Sequence, residues 1–212
     1  PIAKCQAFCV KYIMICHKYK TIFIHIPKTG GTSIECMFGM VRYMEGKVAA
    51  FSENVEGKHF TCHRAMQQYG DNFEEYYKWT VVRNPWTRDL SIYNMMKGQL
   101  KYRHMSFAEF LNEVTIKEVK AGERNVFRNQ TDYILNDGEI KVDQIIRYEN
   151  LKYGWNEVCK KLGKPHEELV HLRKAKKNQY SQVFSGENIK LIAELRREDI
   201  QLLGYEPPYI ID

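Results

Sequence analysis

The sequence predicts a single α/β domain with a mostly parallel sheet flanked by helices. Three apolar runs are predicted to form buried strands: residues 21–26 (TIFIHI), 78–82 (KWTVV) and 143–147 (DQIIR). A helical pattern follows each run, and strands that alternate with helices are typical of a parallel sheet covered on both faces. The 212 residues, 44% of them hydrophobic and 27% charged, suffice for one domain with a sizeable core.

The first strand is followed by a glycine turn and a helix. Pro27 ends the strand, because proline cannot donate to a sheet ladder, and residues 28–33 (KTGGTS) form the turn. The apolar residues after the turn recur at helical spacing: Ile34, Met37, Phe38 and Val41. Since the N-terminus of such a helix offers unpaired N–H groups and partial positive charge, we expect the turn to bind an anion, with phosphate the obvious candidate.

The second strand also ends in polar residues. Arg83 stands at its carboxyl end, where open α/β sheets bind ligands, and Ser91 lies about two turns into the helix that starts near Pro85. A phosphate over the first turns of this helix would meet both side chains. An Arg-Asn-Pro segment is equally typical of an ordinary helix start, so both interpretations stay open at this point.

The remaining elements have recognisable boundary signals. A capping box, a turn, a glycine-ended helix and a long final helix are expected at these positions: Ser106 with Glu109, 136–138 (NDG), 151–162 before Gly163, and 187–203 before Gly204.

Charge and cysteine content narrow the function classes. The net charge of +6 favours an anionic ligand or partner. The six cysteines contain no CxxC pair, which predicts reduced thiols; a metal site on Cys5, Cys9, Cys16 and His17 is disfavoured by their irregular spacing.

We expect residues 1–20 to be an N-terminal extension before a domain of residues 21–212. The apolar run at 7–16 is too short to span a bilayer and contains Lys11, which predicts a cytoplasmic protein without membrane association.

Two segments together resemble a known family. FIHIPKTGGTS (23–33) and VVRNPWTRDLSIY (81–93) are similar to the two phosphate-binding motifs of sulfotransferases that use 3′-phosphoadenosine 5′-phosphosulfate (PAPS). The nearest group in pattern contains the carbohydrate 2-O-sulfotransferases and small bacterial relatives. The resemblance runs from about residue 21 to 205 and includes 58–65 (KHFTCHRA), 131–151 and 197–206. It implies a P-loop NTPase-like sulfotransferase fold.

The resemblance also implies which residues hold PAPS. The first motif would bind the 5′-phosphosulfate through Lys28, Thr29, Gly30, Gly31, Thr32 and Ser33. Arg83 and Ser91 would bind the 3′-phosphate. A basic run at 171–184 matches the region that covers the 3′-phosphate in the family, which points to Lys176, Lys177 and Tyr180. Arg173 and Ala175 depart from the Asn and Ser expected there, so individual contacts in this run are less well supported.

The same resemblance assigns the catalytic residues. His59 occupies the family's histidine position after the first helix and would act as the general base; His63 is expected to be a bystander and His25 a packed residue. Lys28 would stabilise the negative charge that develops on the leaving phosphate.

The expected function is PAPS-dependent transfer of a sulfuryl group to a hydroxyl of a carbohydrate or small natural product, with no metal. An ATP- and Mg²⁺-dependent phosphotransferase is the first alternative, but the lysine precedes the glycines, unlike a Walker A motif, and no Asp-ended strand follows. A non-catalytic module that binds polyanions is the second, and it leaves the paired motifs and His59 unexplained. The expected partner is therefore a small-molecule or carbohydrate acceptor, not nucleic acid or a membrane.

Overall fold

Three parallel strands and one antiparallel edge strand form the main sheet. The computed structural model describes residues 14–39, 41–44, 47–50, 59–165, 167–169 and 183–208. Within them the strands are β1 (Met14–Cys16), β2 (Thr21–Ile24), β3 (Val41–Met44), β4 (Lys47–Ala50), β5 (Tyr77–Val82), β6 (Leu135–Asn136), β7 (Glu139–Ile140) and β8 (Gln144–Arg147). The sheet order is β1-β2-β5-β8, with β1 antiparallel to β2 and the other pairs parallel. The predicted α/β class and the three predicted strands are confirmed.

Helices connect and flank these strands. They are α1 (Gly31–Met37), α2 (Cys62–Tyr69), α3 (Asp71–Glu75), α4 (Pro85–Met96), α5 (Phe107–Phe110), α6 (Ile116–Ala121), α7 (Thr131–Ile134), α8 (Leu151–Leu162), α9 (Gly186–Leu195) and α10 (Arg197–Leu203). A π-helical segment, Leu111–Thr115, joins α5 to α6. The chain divides into two compact units, Pro1–Val82 with Asp132–Arg173 and Arg83–Thr131 with Lys174–Asp212.

Three predicted boundary signals act as expected: a capping box, a glycine-ended helix and a turn. Ser106 and Glu109 form the capping box of α5, and Gly163 ends α8 in the left-handed conformation. Asp137 and Gly138 both have positive φ, 52° and 78°, which makes the tight turn of the β6–β7 hairpin.

An aromatic cluster forms the core of the first unit. Phe23 of β2 packs on Trp79 of β5 with ring centroids 4.6 Å apart, and Trp155 of α8 lies 6.2 Å from Trp79. Gly154 permits this close packing of α8 on the sheet, because a Cβ there would lie 2.3 Å from Ile146 Cγ2. The packing of α8 thereby fixes the sheet that carries the first motif.

A buried ion pair organises the second unit. Arg196 is 1% exposed and binds both carboxylate oxygens of Asp89, at 2.8 and 3.0 Å, while its Nη1 donates to Phe127 O at 2.6 Å. The prediction of one continuous helix at 187–203 is wrong. The structure has two helices, α9 and α10, that meet at Arg196, whose backbone (φ −115°, ψ 24°) leaves the helical region so that its side chain reaches Asp89.

The start of the chain was predicted as an extension, and part of it lies in the sheet. β1 belongs to residues 1–20 and pairs with β2, with Ile15 opposite Ile22. Cys16, Cys62 and Cys159 are buried and Cys36 is half-buried, whereas Cys5 and Cys9 lie outside the described residues. No described helix is long and apolar enough to cross a bilayer. The cytoplasmic location and the domain boundary stay predictions.

Candidate active site

The turn after β2 is built on two left-handed residues. Lys28 has φ 71° and Gly30 has φ 87°. Between them Thr29 is fully buried, and its Oγ1 donates to Ile26 O at 2.9 Å. A left-handed conformation costs a non-glycine residue about 1–2 kcal/mol, so the surrounding contacts must hold Lys28 in place. The Thr29 side chain closes the turn from inside, and Lys28 is half-buried at its rim.

The two glycines are required for different reasons. Gly30 needs its positive φ, and a Cβ there would also lie 3.0 Å from the Tyr148 ring. Gly31 is the first residue of α1, and a Cβ there would lie 2.1 Å from His25 Cδ2. The Ser33 N–H donates to Gly30 O at 3.0 Å, so the first α1 turn opens directly from this glycine pair.

A buried histidine–carboxylate pair lies beneath the turn. His25 Nδ1 is 2.6 Å from Glu35 Oε1, and both residues are buried. A carboxylate oxygen at this distance accepts a hydrogen bond, so His25 Nδ1 carries a proton and is the donor. His25 also stacks on Phe23 with ring centroids 5.8 Å apart. The sequence prediction that His25 is packed agrees with this geometry.

His59 lies against His25. Its Nδ1 is 2.9 Å from His25 O, and the two rings meet edge to face with centroids 4.5 Å apart. A carbonyl oxygen only accepts hydrogen bonds, so His59 Nδ1 must carry the proton. In the neutral ring Nε2 then holds the lone pair, which is the arrangement that a general base requires.

His63, the expected bystander, has other partners. Its Nδ1 lies 2.8 Å from Asn136 Oδ1 and its Nε2 lies 2.9 Å from Gln67 Nε2, on an exposed part of α2. His63 is therefore bonded to the neighbouring hairpin and to its own helix.

In the second unit, Arg83 folds back over the first turn of α4. Its Nε donates to Thr87 Oγ1 at 3.0 Å, and the Thr87 hydroxyl donates to Asn84 O at 3.1 Å. Ser91 lies four residues after Thr87, so both face the same side of α4, and both are half-buried. Arg83 is thereby held to Thr87, on the helix face that also carries Ser91.

A match to a family model covers nearly the whole chain. The model described as "Sulfotransferase family" matches residues 11–206. The chain belongs to the sulfotransferase family. The resemblance predicted from the two motifs is confirmed, and the predicted sulfotransferase fold agrees with the observed sheet.

A relative of this sulfotransferase occurs in an archaeon. A protein of Archaeoglobus fulgidus, described only as "Uncharacterized protein", is 32% identical over 112 residues, which are 53% of this chain and 88% of the relative. Its description adds nothing on substrate.

Three residues that contact the two predicted motifs were missed from the sequence. Glu35 holds His25, Tyr148 lies beside Gly30, and Gln130 bonds the main chain of Arg83 in both directions at 2.8 Å. A carboxylate directly after the apolar Ile34 in the first helix was a signal for Glu35, and the position after a strand end was one for Tyr148. Gln130 is 47 residues from Arg83 and left no local signal.

Three further contacts of the 3′-phosphate were predicted in the basic run at 171–184. Lys176, Lys177 and Tyr180 lie outside the described residues. Within the ranges that the structure describes, no cluster of three or more His, Cys, Asp or Glu side chains could hold a metal ion.

Proposed function

We propose that the protein transfers a sulfuryl group from PAPS to a hydroxyl of a carbohydrate or small natural product. The observation that carries this proposal is the hydrogen bond from His59 Nδ1 to His25 O, because it leaves Nε2 as the basic nitrogen beside the family's anion-binding turn. Membership of the sulfotransferase family supports the donor class.

In this reaction the acceptor oxygen attacks sulfur while His59 Nε2 takes the hydroxyl proton. The new O–S bond forms as the bond from sulfur to the bridging oxygen of the 5′-phosphate breaks, and 3′-phosphoadenosine 5′-phosphate (PAP) leaves with the electron pair. The Lys28 ammonium stabilises the charge on that oxygen. General base catalysis of this kind contributes on the order of 10²–10⁴-fold.

The turn supplies the rest of the donor site. Main-chain N–H groups of Gly30 to Thr32 are the proposed donors to the 5′-phosphosulfate, and the two glycines let this turn pack closely against His25 and Tyr148. In the second motif, Arg83 and Ser91 are the proposed contacts of the 3′-phosphate. The bond from Arg83 to Thr87 supports this role, because it orients the guanidinium along the face that carries Ser91.

Thermal unfolding with nucleotides tests the donor. PAP without Mg²⁺ should stabilise the protein, by about 2.7 kcal/mol at 100 times Kd, whereas ATP with Mg²⁺ should not. Stabilisation by ATP–Mg²⁺ alone would instead support the phosphotransferase alternative.

Paired histidine variants test the base. His59→Ala should lower the rate of PAP release from PAPS, with water as acceptor, by about 10²–10⁴-fold, and PAP affinity should stay within about twofold. His63→Ala is the matched control, because this histidine lies four residues away and bonds to Asn136 and Gln67. Loss of PAP binding in His59→Ala would move His59 into the donor site and contradict its role as base.

A further inference from the structure

We infer that Glu35 and His25 form a buried positioning pair that holds the catalytic base His59 in one tautomer and one orientation. The inference rests on the proposed function. It assigns a positioning role to both residues: His25 contacts the base, and Glu35 acts on the base through His25.

Both contacts of His59 to this pair come from one residue. The carbonyl oxygen of His25 accepts a hydrogen bond from Nδ1–H of His59, and the ring of His25 meets the His59 ring edge to face. The carbonyl belongs to the main chain just after β2 and selects the tautomer of the base, whereas the ring of His25 packs on the base and restricts its orientation. The second contact depends on whatever fixes the His25 ring.

Several contacts fix the His25 ring. Glu35 binds its Nδ1 at 2.6 Å, Phe23 stacks on its face, and Gly31 lies close to its Cδ2 and Nε2. His25 is 7% and Glu35 6% exposed, so water competes little for the bond between them. Of these contacts, the carboxylate alone is a directional, charged acceptor, and it determines the rotation of the ring.

The carboxylate lies on the element that the anion-binding turn opens. Glu35 follows Gly31 by four residues, about one turn of α1. The turn and the base are thus connected through the same helix and the same histidine. In metal sites, the groups that orient a ligating histidine change metal affinity or activity by about 10–100-fold when they are replaced, and we expect an effect at the lower end of this range here.

Glu35→Gln is the first test, because it keeps the side-chain size and removes the charge. The rate of PAP release from PAPS in water should fall about tenfold, with PAP affinity within about twofold of wild type. Glu157→Gln is the matched control; it removes an exposed carboxylate that pairs with Lys160 at 3.1 Å, and the rate should not change.

Nitrogen NMR of the PAP complex reads the base directly. Neutral His59 should show a protonated Nδ1 and an unprotonated Nε2 in the wild-type protein, and its ring signals should shift in Glu35→Gln, because the His25 ring that packs on it is no longer held. A purely structural ion pair would lower the melting temperature and leave this spectrum unchanged.

A double variant separates the possible outcomes. If Glu35 acts through His59, Glu35→Gln should lower the rate in the wild-type background and have no further effect in His59→Ala. An equal fall in both backgrounds, or an unchanged spectrum and rate in Glu35→Gln, overturns the inference. Should Glu35→Gln fail to fold, Glu35→Asp, which keeps the charge on a shorter stem, is read the same way. If His59→Ala retains full activity, the proposed function fails first.

Discussion

The imidazole of His25 lies so close to Gly31 that a methyl group on this glycine would come within 2.1 Å of its ring. Gly31 is not among the residues with positive φ, so its backbone conformation is open to any residue. The glycine is therefore required by a neighbouring side chain. At Gly30, one residue earlier, φ is 87°, so the backbone conformation itself favours glycine.

Gly31→Ala should destabilise the protein by about 1–3 kcal/mol, because the new methyl overlaps the His25 ring. His25→Ala in the same chain should remove most of this additional cost. Urea unfolding of the two single variants and the double variant measures the coupling.

Gly30→Ala is the comparison for that cycle. Its cost comes from φ as well as from the Tyr148 ring, so Tyr148→Ala should recover only part of it.

For the Gly31 cycle, simple additivity of the unfolding free energies of Gly31→Ala and His25→Ala would contradict the prediction. It would show that the His25 ring does not set the requirement for glycine at position 31.

Lys28 variants should separate charge from backbone strain. Lys28→Ala and Lys28→Gly both remove the ammonium and should both lose PAPS turnover. Lys28→Gly should be more stable than Lys28→Ala by up to about 1 kcal/mol. The reason is that a backbone φ of 71° is strained for alanine but not for glycine. Activity and urea midpoints measured on both proteins check this; a clearly less stable Lys28→Gly would contradict the strain assignment.

Arg196→Met should cost about 3–5 kcal/mol of unfolding free energy. It leaves the carboxylate of Asp89 buried, 2% exposed, without its bidentate partner. Replacing both residues, as Arg196→Met with Asp89→Leu, should cost less than Arg196→Met alone, since no charge remains buried. Chemical denaturation gives both values, and equal costs for the single and double variants would argue against a buried-charge penalty.

Cys62 should make stability fall with rising pH in alkaline solution. Burial raises the pKa of its thiol from 9.0 to about 12, with Lys78 opposing the shift. Between pH 9 and 12 the unfolded chain loses this proton and the folded protein keeps it. The unfolded state is thus favoured as pH rises, with a slope approaching about 1.4 kcal/mol per pH unit.

Cys62→Ala should flatten that dependence. The measurement is the unfolding free energy at pH 8, 9 and 10 for both proteins, and the difference between their slopes isolates Cys62 from other groups that titrate there. Parallel curves would mean that the folded protein does not hold the thiol proton.

Much of the fold was predictable because its signals are local. The helix 151–162 ends at Gly163 as expected, since a left-handed glycine ends a helix wherever it stands in the fold. The NDG turn likewise needs only residues that tolerate positive φ. The break at Arg196 was not predictable, because helical periodicity runs through it and its cause, Asp89, is 107 residues away.

The candidate site divides in the same way. Lys28, Gly30, Gly31 and His59 were predicted because they lie in short motifs that resemble those of PAPS-dependent sulfotransferases. The partners that hold them were not. Nothing near His59 in the sequence indicates that its Nδ1 bonds to His25 O, since the two residues are 34 positions apart.

The sequence by itself determined the strand–turn–helix order, the glycine turn and the family, because these depend on residue types at fixed short spacing. The tertiary structure alone decided which nitrogen of His59 carries its proton and why Gly31 has no side chain. Both follow from contacts with His25, and such contacts exist only after burial has brought α1, β2 and the segment at His59 together.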